Sequence, residues 1–74
     1  MSTINLRTDT DYSARRKRRD AVKDILMRLS AIRDAEQAYL DRVPDSLQNS
    51  ESFETGERAV DTFDDVIELL GDVY

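Results

Sequence analysis

A run of five consecutive cations near the start of the chain is the group of residues best suited to binding a ligand. These are Arg15, Arg16, Lys17, Arg18 and Arg19. Five cations within two helical turns can neutralise several phosphates and give salt-sensitive, sequence-tolerant contact with DNA or RNA. No aromatic or amide side chains are interleaved to read bases. The favoured interpretation is that these cations pair with acidic side chains of the same chain or of a dimer partner, rather than with nucleic acid. Contact with an acidic protein is the third possibility.

Opposite charges divide the chain. Residues 1–33 hold nine Lys or Arg and four Asp or Glu, whereas residues 34–74 hold two and twelve. The acidic stretch 51–72 is expected to form a solvated helix face that complements the cations. Its alternative use is as an acidic rod that occupies the basic groove of a nucleic-acid-binding protein.

The residue types exclude most catalytic chemistry. The chain has no His and no Cys, so it lacks an imidazole or thiolate nucleophile, a zinc site and a disulfide. Asp64 and Asp65 are adjacent, and neighbouring helical side chains point about 100° apart, so this pair cannot converge on one ion. No glycine-rich phosphate loop is present. The sequence therefore predicts no enzyme activity, no metal and no cofactor.

Two apolar patterns with steps of three and four residues lie on either side of Pro44. If the chain folds back at Pro44, Val43 comes opposite Phe53 and Val22 opposite Tyr74. The sequence thus predicts an all-α fold, a coiled-coil-like antiparallel two-helix hairpin. The first pattern is Val22, Ile25, Leu29, Ile32, Glu36, Tyr39 and Val43, and the second is Phe53, Gly56, Val60, Phe63, Ile67, Leu70 and Tyr74.

The expected organisation is an arm followed by the hairpin. Residues 1–12 are polar and read as a flexible N-terminal arm, with a short strand as the alternative. The hairpin occupies residues 13–74. Its first helix covers about 13–42 with Asp11 or Ser13 near its start, its turn 43–50, and its second helix about 51–71 with Ser50 or Ser52 as the cap.

A structural corner is expected at the closed end of the hairpin. Its members are Glu36, Tyr39, Pro44, Leu47, Gln48, Ser50 and Gly56. The ring of Tyr39 is predicted to lie against Gly56, and Leu47 to fold under the turn. Glu36, at an inward position, is predicted to reach the hairpin mouth or a donor such as Arg58 or Gln48, because a buried lone carboxylate would be costly. Gln48 is predicted to bond to Glu36 or to free carbonyl groups at the end of the first helix.

A second apolar line accompanies the seam of the hairpin. It consists of Leu26, Leu40, Val66, Leu69 and Val73. Each helix of a hairpin buries only one stripe, so this line indicates another surface. A core in a chain of this size supplies only about 3–5 kcal/mol. We therefore predict a homodimer that forms a four-helix bundle, with a groove for a different protein as the alternative.

The stretch from Ile32 onward resembles a group of small helical-hairpin proteins of unknown function from bacterial and phage genomes. The similar elements are Glu36-Gln37, the hydrophobe-Pro-Asp turn at 43–45, Leu47-Gln48, Ser50-Glu51 and the acidic helix after them. The resemblance implies a hairpin with a preserved corner and a phage or mobile-element origin. It implies no activity and no catalytic residues.

The predicted function is that of a small non-enzymatic protein-binding module, a phage or mobile-element regulatory inhibitor that acts by protein contact. The alternative is a nucleic-acid-associated protein that contacts phosphates through residues 15–19. A self-assembling structural protein is the third possibility. The absence of Cys fits a reducing compartment, and no apolar run approaches the roughly 18 residues of a membrane span, so a cytoplasmic location away from membranes is expected.

Overall fold

The computed structural model describes residues 12–74, which form two α-helices joined by a short corner. Helix α1 spans Arg15–Asp41, a 3-10 helix spans Asp45–Leu47, and helix α2 spans Glu51–Gly71. α1 and α2 pack against each other, and residues 12–74 contain no strand. The predicted all-helical fold with two packed helices is confirmed. Residues 1–11 of the predicted arm lie outside the described residues.

Helix α1 begins at Arg15, two residues later than expected. Ala14 occupies the N-cap position, and no side chain caps the helix there, although Asp11 or Ser13 was expected near its start. The first turn contains no acidic residue and four cations, which the positive end of the helix dipole disfavours. The side chain of Arg18 donates a hydrogen bond of 2.8 Å to the carbonyl oxygen of Tyr12. The start of α1 therefore has weak local support, and packing further along must hold the helix.

Pro44 determines where α1 ends. A residue before proline is driven out of the helical region, and α1 stops at Asp41 with Arg42 as its C-cap. Pro44 is extended, with φ −62° and ψ 152°, and redirects the chain into the 3-10 helix. The backbone amide of Val43 still bonds to the carbonyl of Leu40 at 3.1 Å, which closes the last turn.

The two helices meet along a seam of buried and half-buried side chains. On α1 and just beyond it the inward residues are Val22, Leu26, Leu29, Arg33, Glu36, Leu40 and Val43, and on α2 they are Phe53, Gly56, Val60, Phe63, Ile67 and Leu70. Ile25, Ile32 and Tyr39 were predicted to face inward and are exposed instead. At each of these three places the next residue of the chain faces inward instead, so α1 is rotated about its axis relative to the prediction. Tyr74, the predicted end of the second pattern, is also exposed.

The reason for this rotation lies at Gly56. A Cβ atom on Gly56 would lie 2.7 Å from both Leu40 Cδ2 and Glu36 Oε2. Leu40 therefore fills the space over the glycine, and its side chain is only 6% exposed. The prediction that Tyr39 lies on Gly56 is wrong. The register along the helices stays close to the predicted one, because Leu26, Leu70 and Tyr74 line one concavity at the open end.

The hairpin is a thin rod rather than a globule. Its radius of gyration is 17.2 Å, against about 11 Å for a compact domain of this length. Its extents are 55 × 30 × 15 Å, so its thickness is about that of one layer of helices. Within the described chain, Leu40 and Val60 are the buried hydrophobic residues. The seam alone thus provides little apolar burial to oppose the entropy of folding.

The two glycines of α2 offer a matched test of the packing at Gly56. Gly56→Ala should destabilise the hairpin by about 1–2 kcal/mol, because overpacking against Leu40 outweighs the gain in helix propensity. Gly71→Ala should stabilise it by up to about 1 kcal/mol, because nothing lies within 4 Å of a Cβ at Gly71. Urea unfolding at equal protein concentrations measures both. Stabilisation of similar size by both substitutions would contradict the close approach of α1 to Gly56.

Candidate interaction surfaces

The closed corner is held by local hydrogen bonds. Ser50 caps α2: its hydroxyl oxygen accepts a 3.2 Å bond from the backbone amide of Phe53. The first turn of α2 carries Glu51 and Glu54, which the helix dipole favours. The side-chain amide of Gln48 donates to the carbonyl oxygen of Val43 at 3.4 Å and to a carboxylate oxygen of Asp45 at 3.3 Å. These contacts give the corner a structural role.

Two of the predicted corner contacts are wrong. Leu47 is 55% exposed and does not fold under the turn; it borders an open concavity that Tyr39 also lines. The other concerns Glu36, which neither of the two expected donors reaches. The side chain of Arg58 donates to the hydroxyl of Thr55 at 3.2 Å. Gln48 donates to the carbonyl oxygen of Val43, a carbonyl just beyond the end of α1, which was the alternative predicted for it. Glu36 is half-buried, with its carboxylate against Gly56. Every buried side-chain N or O atom within residues 12–74 has a hydrogen-bond partner.

An ion pair links the two helices at mid-length. Arg33 Nε donates to Asp64 Oδ1 at 2.9 Å, and Arg33 Nη1 lies 3.3 Å from Asp34 Oδ1. The hydrogen bond to Asp64 raises the pKa of Arg33 above its ordinary value, an effect that outweighs the opposing effect of partial burial. Arg33 occupies a seam position where an apolar residue would otherwise pack. The pair therefore adds a specific register contact in the middle of the seam.

A stripe of exposed apolar side chains runs along each helix, next to the seam. On α1 it consists of Ile25, Ile32 and Tyr39, and on α2 of the half-buried Val66 and the exposed Leu69, followed by the exposed Val73 just beyond the end of α2. Leu69 is 69% exposed and Ile32 52%. Each residue of the stripes directly precedes a seam position, or Tyr74 in the case of Val73. We call the six residues together the apolar face.

Both stripes lie on the same side of the hairpin. A step of one residue back from the seam turns the side chain by about 100° around the helix axis. The axes of α1 and α2 run in opposite directions and their seams face each other, so this turn leads to the same side on both helices. The two stripes consequently form one apolar surface, which extends toward the corner on α1 but not on α2.

The opposite side is mostly polar and acidic, although it also carries Met27, which follows the seam residue Leu26 and is 72% exposed. Residues that directly follow a seam position include Gln37 and Asp41 on α1 and Glu57 and Asp61 on α2. They line an open groove of about 630 Å³. Gln37 donates a 2.9 Å hydrogen bond to Asp41 along α1. The hairpin therefore has two chemically different sides.

The basic residues 15–18 lie beyond the end of α2, and Arg19 borders the concavity at the open end that Leu70, Gly71 and Tyr74 also line. α2 ends at Gly71, which borders the same concavity as Val22 and Leu26. The part of α1 that precedes Val22 extends further by about 10 Å, at 1.5 Å per residue. All five side chains are exposed, and because they are consecutive they point around the helix rather than along one face. Only some of the five cations can therefore contact one phosphate backbone at the same time.

The predicted second apolar line is corrected by this geometry. Leu40 is buried and Leu26 half-buried in the seam, so neither belongs to an exposed stripe. Val66 borders the seam, while Leu69 and Val73 are exposed as the line required. Ile25, Ile32 and Tyr39 were predicted to face inward because, as a set, they are more hydrophobic than their neighbours Leu26, Arg33 and Leu40, which form the observed seam. The glycine opposite Leu40 was the signal that could have identified the rotation.

Residues 12–74 have no group of three or more metal-ligating side chains, and neither helix of that segment is long and apolar enough to cross a membrane. No protein-family model, curated protein or solved structure matches the chain. The resemblance to small helical-hairpin proteins stays a prediction.

The Ser50 cap provides a test of the corner. Ser50→Ala removes the oxygen that accepts from the amide of Phe53, and loss of such a cap lowers the free energy of unfolding by about 0.5–2 kcal/mol. Ser52→Ala is the matched control, because Ser52 lies inside α2, past the capping position. Thermal melts followed by circular dichroism measure both. Equal losses in the two variants would contradict the assignment of Ser50 as the cap.

Proposed function

We propose that this chain is a small non-enzymatic protein-binding module that acts through its apolar face. The observation that carries the proposal is the exposed apolar face on one side of a hairpin whose described core holds only two buried hydrophobic residues. Exposed apolar surface of this regularity is typical of protein contact sites. Covering the face with another helical surface adds the apolar burial that the seam lacks.

The distribution of charge supports a contact with protein rather than with a small molecule. The groove on the polar side is open and bordered by several carboxylates, whereas small-molecule sites are enclosed and mostly apolar. The apolar face carries few charges and is flanked by Arg28 and Arg42, the arrangement of an apolar centre with a polar rim. A regulatory inhibitor would act by such contact, and the phage or mobile-element origin that the sequence resemblance implies is compatible with this role.

Photo-crosslinking in cells that produce the protein tests this function. A photoreactive benzoylphenylalanine in place of Ile32 should yield covalent adducts with protein, because the side chain at this position is central to the apolar face. The same group in place of Asp61, on the polar side, is the matched control and should yield few adducts. Mass spectrometry identifies the protein in each adduct.

Two outcomes would refute the proposal. One is the absence of protein adducts at position 32. The other is an equal yield at positions 32 and 61, which would indicate chance encounters rather than a contact surface.

A nucleic-acid-associated function through Arg15–Arg19 is the second candidate. Its support is the exposed basic run that projects beyond α2. The scatter of the cations around the helix limits the number of phosphates that one duplex can present to them, which ranks this function below protein contact.

Duplex DNA of random sequence tests the second candidate. If it holds, affinity should fall steeply between about 50 and 200 mM salt and be lost when Arg15, Arg16, Arg18 and Arg19 are replaced by Ala. A variant with Arg28→Ala and Arg42→Ala, cations outside the run, is the control and should bind almost normally. Fluorescence anisotropy gives the affinities, and no binding at low salt would eliminate this function.

A further inference from the structure

We infer that the apolar face is covered by a second copy of the same chain, packed in the reverse direction, so that the basic run of each copy meets the acidic corner of the other. This inference rests on the proposed function and names the partner of the same surface. The two copies would be related by a two-fold axis that is perpendicular to the rod and crosses α1 at Ile32. This axis packs α1 of one copy against α1 of the other, and α2 against α2.

The stripe on α1 matches its own reversed copy. Ile25 and Tyr39 each lie seven residues from Ile32. Reversal about Ile32 therefore sets Ile25 of one copy against Tyr39 of the other and Ile32 against itself. Seven residues are close to two full helical turns, so all three side chains point the same way. The result is a repeating apolar contact of antiparallel coiled-coil type.

The side of α2 that carries the stripe meets its own reversed copy. Because Arg33 bonds to Asp64, the level of Ile32 on α2 falls near residue 64. Toward the open end this side carries Val66 and Leu69, with Val73 just beyond the helix, and toward the corner it carries Thr55, Ala59 and Thr62. Reversal sets Leu69 on the small Ala59. It sets Val66 on Thr62 and Val73 on Thr55, which are β-branched pairs of nearly equal size.

The charges at the two ends of the rod favour the same direction. The open end carries the five cations 15–19 together with Asp20 and Asp72, and the corner carries Asp41, Asp45, Glu51 and Glu54 together with Arg42 and Arg58, all exposed. The charge is therefore positive in excess at the open end and negative in excess at the corner. Reversal about Ile32 brings Arg19 to the level of Asp45 in the other copy. A dimer of copies that point the same way would instead bring two basic runs together, which costs energy through like-charge repulsion. Within a single chain the basic run and the corner lie at opposite ends, so they cannot neutralise each other.

Single cysteines introduced into this cysteine-free chain test both the partner and its direction. With a short bismaleimide, Ile32→Cys should be converted largely to a covalent dimer, while Asp61→Cys, on the polar side, should stay a single chain. A mixture of Arg19→Cys and Asp45→Cys, which both leave the apolar face intact, should crosslink to each other. Neither should crosslink to itself. Light scattering of the unmodified protein should give about twice the 8.5 kDa of one chain.

The outcomes separate this inference from the proposed function. Self-crosslinking of Arg19→Cys without the mixed product would overturn the reverse direction. A single-chain mass together with no crosslinking of Ile32→Cys would overturn the second copy. If adducts at position 32 in cells then contained a different protein, the proposed function would stand and only this inference would fall. If position 32 gave no adducts at all, both would fall.

Discussion

The close packing of Leu40 on Gly56 is the contact on which the surface of this hairpin depends. A glycine in the middle of a helix costs about 1 kcal/mol relative to alanine, and here the missing side chain allows α1 to approach α2 with a branched aliphatic residue over the gap. Once Leu40 is inward, the rotation of α1 about its axis is fixed. Leu26, Arg33 and Leu40 are spaced seven residues apart and therefore share one side of the helix. Leu26 and Arg33 must then also face inward. Ile25, Ile32 and Tyr39 are then forced outward.

The charged middle of the seam follows from the same rotation. Arg33 faces α2 at a level where the interior is thin enough for its guanidinium to reach Asp64, which is half exposed. Such a pair contributes little net stability, because desolvation opposes the Coulomb attraction. It does distinguish one register from its neighbours, since a shift of α1 by one turn separates the two groups. The apolar contacts near Gly56 and near the open end supply the attraction, and the ion pair between them selects the alignment.

The main elements could be predicted from sequence, because their signals are local. Pro44 ends a helix through its own ring, and Ser50 caps α2 through one hydrogen bond to Phe53. The rotation of α1 could not be predicted in the same way. Two heptad patterns share Val22, Leu29, Glu36 and Val43, and hydrophobicity alone favours the one with two isoleucines and a tyrosine over the one with an arginine. The choice depends on shape at Gly56, which is a property of the pair of helices. Leu47 shows the same limit, because whether a turn leucine is covered depends on what packs over it.

Because α1 places Arg33 inward and Ile25 and Ile32 outward, it carries hydrophobic residues on a surface that its own second helix cannot reach. The rod is too thin for any rearrangement within the described chain to bury both stripes, because two helices share only one line of contact. Charge is also ordered along the rod, from an acidic excess at the corner to a basic excess at the start of α1. This gradient inverts under the two-fold rotation about Ile32, so the reversed chain presents a surface of complementary charge.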